Sequence, residues 1–160
     1  MRCLLSGLVI YLAASPGWAD TEATPHIMLG ANEYLVAGAQ AIIAGSYDEG
    51  IRLTLIGLER APPPRDRAAG LANLCAAYVA KEEPDKAIPY CTESLGINPE
   101  NWRVYTNRAR AYLLKGMFAE AVRDNDAAFA INPNSAHVRM MRGMLNERTL
   151  KPEVILEEHN

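Results

Sequence analysis

The sequence predicts an all-α fold made of stacked helical hairpins, and two observations support that prediction. Between residues 101 and 133, apolar residues recur at spacings of three and four on both sides of a break at residues 115–117, which indicates two helices with a shared inner face. The sequence Ile-Asn-Pro at residues 131–133 is found again at residues 97–99. A fixed period of about 34 residues is typical of stacked-repeat architectures.

The best-defined hairpin occupies residues 102–135. Its inward-facing residues are Tyr105, Ala109, Tyr112, Phe118, Ala121, Val122 and Ala128. In the copy at residues 68–101, where we expect helices over Arg67–Lys81 and Pro84–Gly96, the matching residues are Leu71, Cys75, Tyr78, Ala87, Ile88 and Ser94. A more divergent copy occupies residues 31–64. A helix predicted over Ile27–Ala44 holds its first half, and its three extra residues fall in the proline-rich stretch 61–67.

This pattern resembles the tetratricopeptide repeat. The matching residues of the last copy are Tyr105, Ala109, Tyr112, Gly116, Phe118, Ala121, Ala128 and Pro133. Two positions depart from the family pattern, because Arg108 stands where leucine is usual and Asn125 where an aromatic residue is usual. The resemblance implies a right-handed α-solenoid of three hairpins, closed by a polar capping helix over residues 136–149.

The two ends of the chain are interpreted separately from the repeats. Residues 1–19 have the features of a secretory signal peptide, with Arg2, an apolar run at residues 4–14 and small residues before a cleavage site after Ala19. The run is too short for an ordinary membrane span. We therefore expect a periplasmic or otherwise secreted chain with no membrane insertion, and the alternative is an uncleaved anchor. Residues 20–30 and 150–160 form a flanking segment and a tail.

The sequence contains no motif that indicates an enzyme or a cofactor. It has no nucleotide-binding glycine loop, no HExxH and no GxSxG. The three histidines, His26, His137 and His159, lie in different elements, so no metal site is expected. The acidic run at residues 124–126 lacks the glycine and glutamate of a calcium loop and is interpreted as a solvated helix face. The net charge of −3 argues against a nucleic-acid partner.

Two cysteines remain after removal of the signal peptide. Cys75 lies on the first helix of the middle hairpin, and Cys91 lies on the inner face of its partner helix. Antiparallel packing brings these two levels together, so an oxidising compartment favours a disulfide between them. The alternative is a pair of buried thiols that serve as small apolar residues. No CxxC motif indicates a catalytic redox role.

In tetratricopeptide solenoids the first helix of each hairpin lines a concave groove that holds an extended peptide or a partner helix. The resemblance therefore implies a peptide-binding groove formed by Leu35, Asn73, Ala76, Arg103, Asn107, Arg110 and Met140. Val79 and Met141 are placed on the same face. The carboxylate clamp of the chaperone-binding members is mostly absent, since Leu35 and Ala39 replace its lysine and asparagine in the first repeat.

Three alternatives to an open groove remain at this point. Residues 20–30 could cover its apolar end, the methionines could be core residues, and the asparagines could brace neighbouring helices. We expect an exported adaptor or scaffold that binds a protein or peptide partner, without a prediction of oligomeric state. The competing hypotheses are a structural subunit of an envelope complex, packed through its convex or end surfaces, and an accessory factor to an envelope enzyme.

Overall fold

The computed structural model describes residues 32–149, and every regular element in that range is an α-helix. The helices are α1 (Glu33–Ile43), α2 (Tyr47–Glu59), α3 (Pro64–Ala80), α4 (Pro84–Ile97), α5 (Trp102–Leu114), α6 (Phe118–Ile131) and α7 (Ala136–Thr149). The predicted signal peptide, the segment at residues 20–30 and the tail lie outside the described residues.

The helices pair as three hairpins, α1–α2, α3–α4 and α5–α6, followed by the single helix α7. Each hairpin packs on the next, and the first helices α1, α3, α5 and α7 also contact one another in sequence. Within residues 32–149 the second helices make no such contacts with each other. The first helices therefore form one continuous face, and the predicted all-α solenoid of hairpins is confirmed.

The turns inside the hairpins share one backbone feature. Gly45, Glu82 and Gly116 occupy equivalent positions and have φ values of 82°, 57° and 72°. This left-handed conformation is readily adopted by glycine but costs other residues roughly 1–2 kcal/mol. The predicted break at residues 115–117 is confirmed, and the middle hairpin makes the same turn without a glycine.

The third helix begins earlier than the sequence pattern indicated. We predicted a start at Arg67, whereas α3 begins at Pro64. A proline is well suited to the first helical position because the amide hydrogen it lacks would have no partner there. Pro84 starts α4 in the same way, as predicted. The first described helix starts at Glu33, and the earlier residues of its predicted range lie outside the described part.

Glycines allow α1 and α2 to approach closely. A Cβ atom at Gly38 would lie 2.3 Å from Thr54 Oγ1 and 3.0 Å from the Gly50 carbonyl oxygen. A Cβ atom at Gly50 would lie 2.4 Å from Ile42 Cγ1. These glycines fill positions that hold Cys75 and Ala87 in the next hairpin, so the contact between α1 and α2 has no room for a side chain at this level.

Replacing Gly38 with alanine is expected to destabilise the protein by about 1–3 kcal/mol, because overpacking outweighs the better helix propensity of alanine. Gly143→Ala in α7 is the matched control, since its Cβ would meet nothing within 4 Å. That variant is expected to be up to about 1 kcal/mol more stable than the parent. Urea unfolding followed by circular dichroism measures both changes, and equal effects of the two substitutions would contradict this explanation.

The predicted pairing of the two cysteines is present in the structure. A disulfide joins Cys75 of α3 to Cys91 of α4, with their Cα atoms 5.0 Å apart. Both residues are fully buried and pack with Leu95 and Val104. The bridge therefore lies within the core of the middle hairpin and contacts the start of α5.

The interpretation of residues 124–126 as a solvated helix face is wrong. Asp124 and Asn125 are buried, and only Asp126 is exposed. The carboxylate of Asp124 accepts two hydrogen bonds from the Arg108 guanidinium, from Nε at 2.7 Å and from Nη2 at 2.8 Å. This bond raises the pKa of Arg108 above its ordinary value. The unusual arginine is thus held by an acidic residue on the facing helix.

The inner face of α6 is narrower than predicted. Ala121 and Ala128 are fully buried, but Phe118 and Val122 are 38% and 37% exposed. Phe118 and Val122 lie at the edge of the contact that the two alanines make. The prediction that these two side chains point inward is therefore wrong. As a consequence, α6 presents apolar side chains to solvent.

Candidate functional site

Two depressions open on the face formed by the first helices. The larger, about 330 Å³, lies between α1 and α3. Its lining residues are Asn32, Leu35, Val36, Ala39, Gln40, Asp66, Ala69 and Asn73. The smaller, about 200 Å³, lies between α5 and α7 and is lined by Trp102, Arg103, Thr106, Asn107 and His137. We call them the apolar depression and the cationic depression.

The apolar depression has an aliphatic floor. Leu35 is buried there, whereas Val36 beside it is exposed. The Asn73 side chain of α3 donates a hydrogen bond from Nδ2 to the Leu35 carbonyl oxygen at 3.3 Å. Asn73 therefore braces α1 against α3 while it lines the depression. Asp66 contributes a carboxylate to the rim.

The cationic depression carries the guanidinium group of Arg103, and Arg110 lies outside it on the same helix. The Arg103 guanidinium lies over the Trp102 ring, 4.4 Å from its centroid. Among the described residues, neither Arg103 nor Arg110 has a carboxylate within ion-pair distance. Elsewhere in the described chain, Arg67 pairs with Glu93. This part of the groove therefore has positive charge available for a ligand.

The predicted groove residues are divided between these places. Leu35 and Asn73 line the apolar depression, and Arg103 and Asn107 line the cationic one. The others line neither depression: Ala76 is half-buried, and Arg110 and Met140 are exposed. All seven remain predictions as ligand contacts.

Two further residues placed on the groove face belong to the core. Val79 and Met141 are each only 3% exposed. Val79 packs with Ala87 and Ala111, and Met141 packs with Leu145 in the contact between α7 and the last hairpin. The alternative that the methionines are core residues is correct for Met141, whereas Met140 is 60% exposed.

Sequence reasoning missed several lining residues. Asp66 lies in the first turn of α3, which the predicted start at Arg67 excluded. Trp102 is the first residue of α5 and directly precedes the predicted groove residue Arg103. The signal that would have found Asp66 is Pro64, because a proline there fits the first helical position.

The described residues contain neither a metal site nor a membrane span. In the range 32–149, no group of three histidine, cysteine, aspartate or glutamate residues could hold a metal ion. No helix in that range is long and apolar enough to cross a bilayer.

Comparison of sequences links the chain to one family. The family model described as tetratricopeptide repeat matches residues 78–145. DnaJ homolog subfamily C member 3 of Rattus norvegicus is 36% identical over 67 residues, which are 42% of this chain and 13% of that protein. The Gallus gallus protein of the same name is 26% identical over 109 residues, which are 68% of this chain and 22% of that protein. The chain thus spans only a small part of these relatives.

Solved structures agree in fold. The second TPR domain of the human RPAP3 protein, in complex with the HSP70 peptide SGPTIEEVD, has a TM-score of 0.63 at 18% identity, over 71% of this chain and 92% of that chain. The P58(IPK) TPR domain has a TM-score of 0.67 at 25% identity, over 76% of this chain and 35% of that chain. The first TPR of Spaghetti (RPAP3), bound to the HSP90 peptide SRMEEVD, has a TM-score of 0.66 at 20% identity, over 72% and 92% of the two chains.

Proposed function

Because this chain is a tetratricopeptide-repeat protein, we propose that its concave face binds an extended segment of another protein. The observation that carries the proposal is the pair of depressions on the first helices, one apolar and one cationic. Two RPAP3 domains of the same fold have been solved with peptides, which supports a groove of this kind. The fold is that of an interaction scaffold, and catalysis is no part of the proposal.

The proposal places this activity outside the cytoplasm, in the periplasm or another secreted compartment. Its support is the signal-like composition of residues 1–19. The buried Cys75–Cys91 bridge adds support, since disulfides persist in oxidising compartments. The adaptor would thus act on other exported or envelope proteins.

Photo-crosslinking tests whether the groove is the binding face. We would place benzoylphenylalanine singly at Ala76 or Arg110 on the first helices, and at Ala119 or Arg123 on α6 as matched exposed controls. Crosslinks to one partner segment, mapped by mass spectrometry, are expected from the first-helix positions and not from α6. Crosslinks from α6 alone would contradict groove binding.

Mutation gives a second readout of the same proposal. Asn107→Ala with Arg110→Ala is expected to weaken partner capture about tenfold or more, because both are polar groups on the groove face. The melting temperature should stay nearly constant, since neither side chain is part of the core. Asn73→Ala is a less clean test, because its amide hydrogen bond to Leu35 also braces two helices.

One observation favours the alternative of a structural subunit that packs through its outer surface. On α6 the apolar side chains of Phe118, Val122, Phe129 and Ile131 are between 37% and 41% exposed. Exposed apolar patches commonly mark interaction surfaces. Crosslinks from Arg123 to a single envelope protein would favour this alternative over the groove.

A further inference from the structure

We infer that the groove recognises a protein segment carrying an aliphatic side chain and an acidic side chain about five to six residues apart. This inference rests on the proposed function, because it names the chemistry of the segment that the concave face would bind. The aliphatic group would enter the apolar depression between α1 and α3. The carboxylate would enter the cationic depression between α5 and α7.

The acidic requirement comes from Arg103, the arginine that lines the cationic depression. Among the described residues, four exposed arginines of the hairpins pair with a carboxylate, namely Arg52, Arg60, Arg67 and Arg123, whereas Arg65, Arg103 and Arg110 have no such pair. Arg103 instead stacks on Trp102, which holds its planar guanidinium at the groove surface. A guanidinium held in this way can make two parallel hydrogen bonds to a carboxylate. His137 and Asn107 in the same depression add polar side chains that can hydrogen-bond an acidic group.

The aliphatic requirement comes from the other end of the groove. Val36, Ala39 and Ala69 line the depression together with Leu35, and its surface is mostly apolar. Burial of a Val, Leu or Ile side chain against such a surface is favourable through the hydrophobic effect. The Asp66 carboxylate on the rim repels a second carboxylate there. The two ends are therefore not interchangeable.

The spacing follows from the order of the helices. The apolar depression lies between α1 and α3, and the cationic one lies between α5 and α7, so their centres are two helix spacings apart. Packed helices lie about 8–10 Å apart, which gives a separation of roughly 16–20 Å. An extended chain advances about 3.3 Å per residue. About five to six residues therefore separate the two side chains.

Selection from a display library of random twelve-residue peptides on the immobilised full chain tests this inference. Peptides with a Leu, Ile or Val and an Asp or Glu at a separation of five or six are expected to be enriched about tenfold over those with a separation of two. The Arg103→Ala, Arg110→Ala variant should lose the acidic enrichment and keep the aliphatic one. The Val36→Asp variant should lose the enrichment of aliphatic residues.

The outcomes separate this inference from the proposed function. Aliphatic peptides that crosslink to Ala76 without any acidic preference would overturn the inference and leave groove binding intact. An acidic preference that survives loss of both arginines would also overturn it. Glu157→Gln with Glu158→Gln, made in the full chain, tests the tail as a competitor. Increased peptide capture by that variant would assign the cationic depression to the tail and would overturn the inference.

Discussion

Replacement of Asp124 by alanine is expected to destabilise the protein by about 3–5 kcal/mol, because it leaves the Arg108 guanidinium without its counter-charge in a mostly buried place. The side chains of Arg108 and Asp124 are only 16% and 10% exposed. Their two hydrogen bonds join α5 to α6, and a third runs from Arg108 to Thr92 of the preceding hairpin at 3.0 Å. Loss of the carboxylate therefore weakens the last hairpin and its contact with the preceding one.

The middle hairpin shows which apolar residues can replace the Arg108–Asp124 pair. At the equivalent positions it carries Leu74, which is fully buried, and Tyr90, which stacks on Tyr78 with ring centroids 5.6 Å apart. The double variant Arg108→Leu, Asp124→Tyr copies this apolar solution, since replacing a buried ion pair by packed apolar residues is often close to neutral. We expect the double variant to recover most of the stability that Arg108→Leu alone or Asp124→Tyr alone loses.

Urea unfolding of the parent, the two single variants and the double variant measures this coupling. Arg52→Ala is the control, because its pair with Glu49 is 59% and 49% exposed. Loss of that exposed pair should change the free energy of unfolding by less than about 1 kcal/mol. If Asp124→Ala costs no more than this control, the buried pair is not a determinant of stability.

Removal of the disulfide is expected to have the second-largest effect. The double variant Cys75→Ala, Cys91→Ala should lose about 3 kcal/mol, because the bridge closes a loop between residues 16 apart in sequence and so restricts the unfolded chain. Alanine is the appropriate replacement, since both sites are fully buried and apolar. A serine would add a polar group without a partner.

Thiol counting under denaturing, non-reducing conditions separates the bridge from the effect of mutation. The complete chain, if exported, should show no reactive thiol at Cys75 or Cys91. Its mass should be that of a chain whose first residue is Asp20. A chain started at Asp20 and kept in the cytoplasm should show two thiols. Two thiols in both preparations would contradict the expected disulfide, and a mass that still includes Met1 would contradict cleavage.

The period of the sequence was sufficient to predict the hairpins, because small and apolar residues repeat at the positions where helices touch. It was insufficient for the Arg108–Asp124 pair. Those residues are far apart along the chain and meet only after α5 and α6 have packed. The sequence pattern alone therefore predicts a solvent-facing acidic residue at position 124. A charge that is paired across two helices has no signature in the periodicity of either one.

For the candidate site, the sequence predicted which helix face is involved but not the individual side-chain contacts. The repeat register placed Leu35, Asn73, Arg103 and Asn107 on the face where the depressions occur. The register could not show that the Asn73 amide is directed at the Leu35 carbonyl, because that contact depends on the distance between α1 and α3. It also could not distinguish Met140 from Met141. These residues are adjacent on α7, so the rotation of that helix about its axis decides which of them is buried.

The position of the disulfide has a mechanical consequence. It ties α3 to α4 inside one hairpin and crosses no joint between hairpins. The middle hairpin is therefore a stiff block, whereas the units before and after it are joined to it by the backbone of the connecting loops and by packing, without a cross-link. At those two joints no covalent cross-link opposes bending of the solenoid. Small rotations there would alter the distance between the two ends of the concave face without breaking a covalent bond.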